Sequence, residues 1–210
     1  MNISRIKISL LAVLVASLLF SSCKTLNQIK DSIANLQRLE FKLDNVNNFV
    51  VAGVNLSNIK SVNDLSVMDG IRLTKAFADK RLPAQFVLNL DARNPNDGTG
   101  GTKQSSATLT GLDWRLFIDG KQTIAGDISN DFIIPGTGKA TNIPLTMSLD
   151  LYEFFGNEGY NDLINLALAI GGQNGSAANL KLDARPTVKT QFGNINYPGR
   201  INIVDKDWTN

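Results

Sequence analysis

The residue types that most often carry catalysis are scarce in this chain. Histidine is absent, which removes the usual general base, the Ser-His and Cys-His nucleophile pairs and histidine-ligated metal sites. The one cysteine, Cys23, excludes an intramolecular disulfide and any zinc or iron–sulfur site built from clustered cysteines. No Gly-x-Ser-x-Gly segment occurs either. We therefore expect no catalytic residues, no cofactor and no metal, and we expect that the protein is not an enzyme.

Three other patterns could suggest binding chemistry, and each has a simpler explanation. The glycine-rich run 98–103 lacks a glycine directly before Lys103, and no helix pattern follows it, so it does not match a phosphate-binding loop. The pairs Glu153 with Glu158 and Asp91 with Asp97 match neither a glycosidase arrangement that sequence can reveal nor the order of a calcium loop. We expect a solvated loop and surface charges.

The position of Cys23 gives it a different chemistry. Residues 1–22 have a basic start, an apolar run from Ile8 to Phe20 and small residues before the cysteine, as a secretory signal does. The segment Leu19–Cys23 resembles a bacterial lipobox, which implies cleavage before Cys23 and lipid attachment to its sulfur. The membrane is then a partner through that lipid. The alternative is an ordinary secretory signal followed by a free cysteine.

The residues after the cysteine and the net charge indicate the compartment and limit the partners. Lys24 is followed by Thr25 and Leu26, without the aspartate that commonly retains lipoproteins at an inner membrane or an acidic run for surface export. By analogy we expect an outer-membrane anchor with the domain facing the periplasm. The chain has 21 basic and 19 acidic residues, and losing Arg5 and Lys7 with the signal makes these numbers equal. No basic stripe supports nucleic-acid binding.

The rest of the chain reads as a tether followed by one β domain. Residues 23–38 form the tether, with a short amphipathic helix at 25–38, and residues 39–205 form the domain. Apolar and polar residues alternate from Leu39 onward, which predicts a strand, and we expect a hairpin turn at Asn47-Asn48. A helix is expected over 62–80, with a bend or break at Gly70 and with one side formed by Leu65, Met68, Leu73, Ala76 and Phe77. A second helix is expected over 152–170.

The domain is organised around the stretch 86–126. The strand from Phe86 ends at Asn94-Pro95-Asn96, a glycine-, serine- and threonine-rich loop covers 97–106, and a later strand turns at Asp119-Gly120. Pro144 lies within another alternating run and indicates an edge strand or a bulge. Strands are expected over 132–134, 180–192 and 195–204, and Trp208 is expected to pack back on the surface. Many short alternating strands with turn signals predict a mainly β, antiparallel sandwich.

These motifs resemble the late embryogenesis abundant type 2 family, also called the water-stress and hypersensitive-response domain. The resemblance covers about residues 39–150 and consists of the strand ending in Asn-Pro-Asn, the strand ending in Asp-Gly, an Ile-Ala-Gly segment and a proline-containing strand. It implies an immunoglobulin- or fibronectin-III-like sandwich, no known catalysis, and a link to desiccation or envelope stress. The two or three short helices that we expect in this chain are additional to the family pattern. The motif residues are Asn94, Pro95, Asn96, Asp119, Gly120 and Gly126. We expect a structural role for the asparagines, which cap turns.

Two functional hypotheses remain open from the sequence. The first is a non-enzymatic, lipid-anchored envelope protein that acts in stress protection or protein interaction. The second is a carrier of a lipid or another apolar ligand, bound in a cavity bordered by the two helices and lined by Leu163, Ile164, Ala167 and Phe77. The simpler interpretation of those four residues is that they fill the core.

Overall fold

The structure is a computed structural model that describes residues 34, 37–99, 104–172, 176–190 and 193–209. Predictions for the signal peptide, for Cys23 and for most of the tether helix lie outside these residues. The described part is mainly β, with antiparallel sheets and three α-helices. Its strands are β1 Glu40–Val51, β2 Val54–Asn55, β3 Pro83–Arg93, β4 Ala107–Ile118, β5 Lys121–Gly126, β6 Phe132–Ile134, β7 Ala140–Asp150, β8 Leu180–Thr190, β9 Gly193–Asn196 and β10 Ile201–Ile203.

The helices are α1 Val67–Ala78, α2 Leu151–Phe155 and α3 Tyr160–Gly171, with short 3-10 turns at Val62–Asp64 and Gly156–Glu158. None of the helices in the described ranges is long and apolar enough to cross a membrane.

The strands form two antiparallel sheets. The first has the order β2-β1-β3-β7, and the second has the order β10-β8-β4-β5, with β6 also paired to β4 and β9 to β8. β3 and β4 therefore belong to different sheets, and the segment between them crosses from one sheet to the other. Past β10, the chain returns to β1, where Phe41 and Thr209 exchange backbone hydrogen bonds of 2.8 and 2.9 Å. This pairing joins the two sheets along one side.

One hydrophobic core lies between these elements. Alternate residues of β3 and β4 are buried, as the period-2 patterns predict, and both sets belong to a single cluster that also includes residues of α2 and α3. The buried apolar side chains of β3 are Ala84, Phe86, Leu88, Leu90 and Ala92, and those of β4 are Leu109, Leu112, Trp114, Leu116 and Ile118. Because the two sheets share this cluster, neither has an independent core.

The register of the first sheet defines two ends of the domain. At the tether end, Glu40 lies opposite Arg93 and Arg93 lies opposite Ala140. At the helical end, Val51 lies opposite Ala84, and Pro83 lies opposite Asp150. All three helices connect at the helical end, because α1 leads into β3 and α2 and α3 follow β7. An 11-residue strand separates the ends by about 35 Å.

The predicted hairpin turn at Asn47-Asn48 is wrong. β1 runs without interruption through these residues, and the chain turns instead at Ala52-Gly53, where Val51 pairs with Val54. The β1–β3 register shifts on both sides of Asn47, and Asn48 has a positive φ of 54°. Asparagine tolerates this conformation, so the pair belongs to a bulged region of a continuous strand.

Both predicted helices are interrupted. The first breaks at Leu65 rather than at Gly70, because Ser66 begins a new helix, its side chain accepting a hydrogen bond from the Asp69 amide at 3.1 Å. Gly70 lies inside α1. The second breaks into α2, a 3-10 turn and α3, with Gly159 at a φ of 88°. That conformation suits glycine and does not occur within a helix.

Several local predictions are confirmed. Asp119 and Gly120 have φ values of 48° and 77° and connect β4 to β5, as expected of a two-residue hairpin in which both central residues are left-handed. Pro144 lies on β7, which is an edge strand. Trp208 packs back on the domain, with the Arg93 guanidinium 4.3 Å from its ring centroid.

Candidate functional site

Asn94 lies at the centre of a buried hydrogen-bond network at the tether end. Its side-chain amide donates to the carbonyls of Ser105 at 2.8 Å and Ile134 at 3.2 Å. Its Oδ1 accepts from the backbone amide of Asn96 at 3.1 Å and from the Asn96 side chain at 2.7 Å. A buried amide with this many partners holds three chain segments in place. These contacts are of the kind expected from asparagines that cap a turn.

The Asn-Pro-Asn turn is closed further by the loop that follows β6. The Gly138 amide donates to the Asn94 carbonyl at 3.0 Å, and the Gln104 side chain donates to the Gly136 carbonyl at 2.9 Å. A Cβ on Gly136 would overlap the carbonyl oxygens of Asn96 and Ser105, so only glycine allows this approach. The loop is therefore a packed closure of the tether end.

Gly126 has a steric role that the sequence alone does not reveal. It pairs with Trp114 across β4 and β5, and the indole lies over it. A Cβ at this position would lie 2.5 Å from Trp114 Cζ2, closer than such contacts allow. Asp119 and Gly120 lie at the helical end, where Lys121 donates to the Phe154 carbonyl. The structure therefore does not bring the six motif residues together into one site.

The four residues predicted to line an apolar ligand cavity belong to the packing of the helical end. Leu163, Ile164 and Ala167 of α3 are fully buried in the core cluster. Phe77 of α1 is half-buried and contacts Tyr152 and Tyr160 edge-on, with ring centroids 5.2 and 5.6 Å apart. They lie where the simpler interpretation places them, in the packed end of the domain.

α1 also presents apolar side chains to solvent, which the sequence pattern did not predict. Val67, Met68 and Ile71 are 81%, 61% and 56% exposed, and Leu73 is the buried residue of this helix. Met68 was expected on the inner side. α1 begins at Val67, after the Ser66 cap, and its buried side is the narrow one formed by Leu73 and its neighbours Ala76 and Phe77.

Asp113 and Asp183 form a surface network of ion pairs with arginine residues on the second sheet. Arg200 joins Asp113 and Asp183 on neighbouring strands, with N–O distances of 2.6 Å to each. The hydrogen bond from Arg200 lowers the pKa of Asp113 below its usual value. A carboxylate held ionised by arginine is a poor proton donor near neutral pH, so the role that this geometry supports for Asp113 is ion pairing between neighbouring strands.

Asp97 and Asp91, two of the acids expected at the surface, each accept hydrogen bonds from nearby polar residues. Asp97 accepts hydrogen bonds from the Thr99 amide and hydroxyl at 2.9 and 2.7 Å, which lower its pKa, and Asp91 accepts one from Asn142 at 3.4 Å. Asp97 therefore forms a local turn of the loop. Within the described residues, no group of three or more His, Cys, Asp or Glu residues is placed to hold a metal ion.

A cavity of about 320 Å³ lies between edge strand β7 and the segment that connects β5 to β6. Val87, Pro144 and Leu145 form one wall, Trp114 and Phe132 form another, and residues 127–130 close it from the loop side. The sequence could not indicate this site, because its residues come from five separate parts of the chain.

Two polar groups at this cavity are available to a ligand, one of them buried and the other exposed. Trp114 is 6% exposed, and its Nε1–H makes no hydrogen bond to that part of the chain. The Asp127 carboxylate accepts from the Leu112 and Ile128 amides through Oδ1, and no described group donates to its Oδ2. A buried donor without a partner is rare in folded proteins. We take this cavity as the candidate binding site.

Comparisons with known proteins assign no family. No family model and no curated protein matches the chain. A crystal structure of a protein from Archaeoglobus fulgidus is 12% identical over 54% of this chain and 77% of the other, with a TM-score of 0.29. A similarity this weak supports no conclusion about fold type or function.

Proposed function

We propose that this protein is a non-enzymatic, lipid-anchored protein of the cell envelope, held at the outer membrane and facing the periplasm. The observation that carries the proposal is the segment Leu19–Cys23, which resembles a lipobox and precedes a domain with a single hydrophobic core. A lipid on Cys23 would hold the domain at a membrane, and the tether enters the domain at the end opposite the helices.

The domain is proposed to be an immunoglobulin- or fibronectin-III-like sandwich of the late embryogenesis abundant type 2 kind. Two antiparallel sheets that share one core support the sandwich. The Asn94 network supports the assignment of the Asn-Pro-Asn motif, because the asparagine side chains form hydrogen bonds that close the domain where β3 ends. The proposed role is protection of the envelope under drying or related stress, or interaction with another protein.

The alternative function is carriage of a lipid or another apolar ligand. It has less support, because the residues predicted to line its cavity are packed at the helical end. Leu163, Ile164 and Ala167 are fully buried in the core. Recovery of a bound lipid by native mass spectrometry after gentle extraction would favour this alternative over the first function.

The anchor is tested by fractionating cells that produce Cys23→Ala. The variant is expected as uncleaved precursor or as soluble protein, because the sulfur that would carry the lipid is absent. Ser22→Ala is the matched control, since it leaves Cys23 in place and is expected to stay with the membrane. Unchanged membrane association of Cys23→Ala would contradict the proposal.

The physiological role is tested by drying and rewetting a deletion strain. We expect a measurable loss of viability that the wild-type gene restores and that the Cys23→Ala form restores less well. Equal survival of the deletion and parent strains would contradict a role in stress protection, and protein interaction would then be the proposed role.

A further inference from the structure

The cavity at Trp114 has the dimensions and the mixed lining of a small-ligand site. Its volume of about 320 Å³ is at the lower end of the range of about 300–1,000 Å³ that ligand pockets occupy. Apolar walls come from Val87, Leu145 and Phe132, while the loop side contributes Asp127, Ser129 and Asn130. Such a lining suits a small molecule that is apolar on one face and polar on the other.

The two polar groups at the cavity are of opposite kinds, since one is a donor and the other an acceptor, and this restricts the ligand. The indole Nε1–H of Trp114 is a buried donor that needs an acceptor, whereas Oδ2 of Asp127 is an acceptor on an exposed side chain, where a donor of the ligand can replace water. A hydroxyl group can serve either one, because it both donates and accepts. An ammonium group could satisfy Asp127 and could not accept from the indole.

The charge of the lining disfavours an anion. Asp127 is the acid among the lining residues, and no lysine or arginine is among them. A carboxylate or phosphate ligand would therefore meet a like charge without a compensating cation. The ligand that fits both the hydrogen-bonding groups and the charge is neutral and carries several hydroxyl groups.

We propose that this cavity binds a small neutral polyhydroxylated molecule, a monosaccharide or a polyol of similar size. Its C–H face packs against the walls formed by Val87, Leu145 and Phe132. Its hydroxyl groups accept from Trp114 and donate to Asp127. The site goes beyond the proposed anchoring and stress role and does not depend on it, since every residue it uses lies in the described domain.

The two tryptophans of the chain allow a direct test with D-glucose as the probe. The mature chain with Cys23→Ser is labelled with ¹⁵N, and Trp208→Phe assigns the two indole N–H signals. Titration with glucose is expected to move the Trp114 signal along a saturable curve in the millimolar range, while the Trp208 signal stays in place. Absence of a saturable shift, or equal shifts of both signals, would overturn the proposal.

Charged relatives of glucose test the ligand class. Glucuronate keeps the ring and adds a carboxylate, and it is expected to bind at least tenfold more weakly because of Asp127. Asp127→Asn keeps an oxygen that accepts from the Leu112 and Ile128 amides. This variant should bind glucose more weakly than the wild type does, and the difference in affinity between glucose and glucuronate should become smaller. Saturable binding of glucosamine without binding of glucose would show a cation site and contradict the proposal.

A blocking variant tests the place. Thr146 lines the cavity from an exposed position on β7, so Thr146→Phe fills the space without entering the core. Aromatic residues are accepted in strands. The glucose-dependent shift of Trp114 is expected to be lost. Ser148→Phe, two residues further along the exposed side of the same strand, is the matched control and is expected to keep the shift. Retention of the shift in Thr146→Phe would place binding elsewhere.

Discussion

The two ends of the domain are closed by different chemistry. At the tether end, Asn94 and Asn96 close the Asn-Pro-Asn turn with side-chain and backbone hydrogen bonds. At the helical end, α2 and α3 close the sheets with apolar side chains, and Gly171 packs directly against the ring of Phe49. A directional polar closure needs particular residues at particular positions, whereas an apolar closure needs mainly volume and shape.

This difference predicts how each end responds to substitution. The helical end should tolerate changes of apolar residue type and fail when volume is added at a tight contact. The tether end should fail when a donor or acceptor is removed, even with little change of volume.

The largest effect is expected from added volume at the helical end. In Gly171→Ala the new Cβ would overlap the buried Phe49 ring, and we expect a loss of about 3 kcal/mol in the free energy of unfolding, measured by urea denaturation. Gly70→Ala is the matched control, because α1 leaves open space there and alanine favours a helix. It should stabilise the protein by about 0.5–1 kcal/mol. Equal effects of the two variants would contradict tight packing at this end.

The next effect is expected from a lost polar group at the tether end. Asn94→Ala removes the donor to the Ser105 and Ile134 carbonyls and the acceptor for Asn96. We expect a loss of about 2 kcal/mol in the same urea measurement, since buried partners are left unsatisfied. Asn142→Ala, which removes an exposed side chain with one weak hydrogen bond to Asp91, should change stability by less than about 0.5 kcal/mol. If Asn94→Ala left the free energy of unfolding unchanged, the closure of the tether end would not depend on the hydrogen bonds of Asn94.

A smaller effect is expected between the ends, at Gly126. Gly126→Ala pushes a Cβ against the Trp114 indole, which has a partly open cavity beside it and can give way. We expect a loss of about 1 kcal/mol together with a changed near-ultraviolet dichroism signal from the indole. Gly199→Ala, where the space is open, should leave both quantities unchanged.

The smallest effect is expected from the exposed ion pairs. Arg200 lowers the pKa of Asp113 in the folded protein, so this pair stabilises the fold above the unfolded pKa of about 3.9 and loses that contribution as the pH falls through the folded pKa. Asp113→Asn should cost less than about 1 kcal/mol at neutral pH, because the pair is partly exposed, and the difference from wild type should shrink in acid. Asp131→Asn, at an exposed carboxylate outside the ion pairs of the described residues, is the matched control and should change stability at neutral pH by less than about 0.5 kcal/mol.

The sequence predicts the features that depend on neighbouring residues. Asp119-Gly120 forms its hairpin because both residues tolerate positive φ, and Pro144 lies on an edge strand because proline lacks an amide for a second partner. The turn at Asn47-Asn48 was mispredicted because pairing of β1 with β3 carries the strand through these residues. The same reasoning predicted a break at Gly70, but the cap at Ser66 and packing of Leu73 decide where α1 begins.

The candidate site was beyond sequence reasoning for a physical reason. Val87, Trp114, Asp127 and Leu145 are far apart in the chain and meet only after two sheets and a connecting segment are in place. Each residue alone fits an ordinary role in a strand or turn. The unsatisfied indole N–H, which distinguishes the site, is a property of the folded arrangement.

The central claim, that a lipid on Cys23 holds this domain at a membrane, is tested most directly by the intact mass of the protein purified from membranes. We predict a chain that begins at Cys23 and carries the added mass of a diacylglyceryl group, with or without a further acyl chain. A chain of unmodified mass that begins elsewhere, or one that retains residues 1–22, would contradict it.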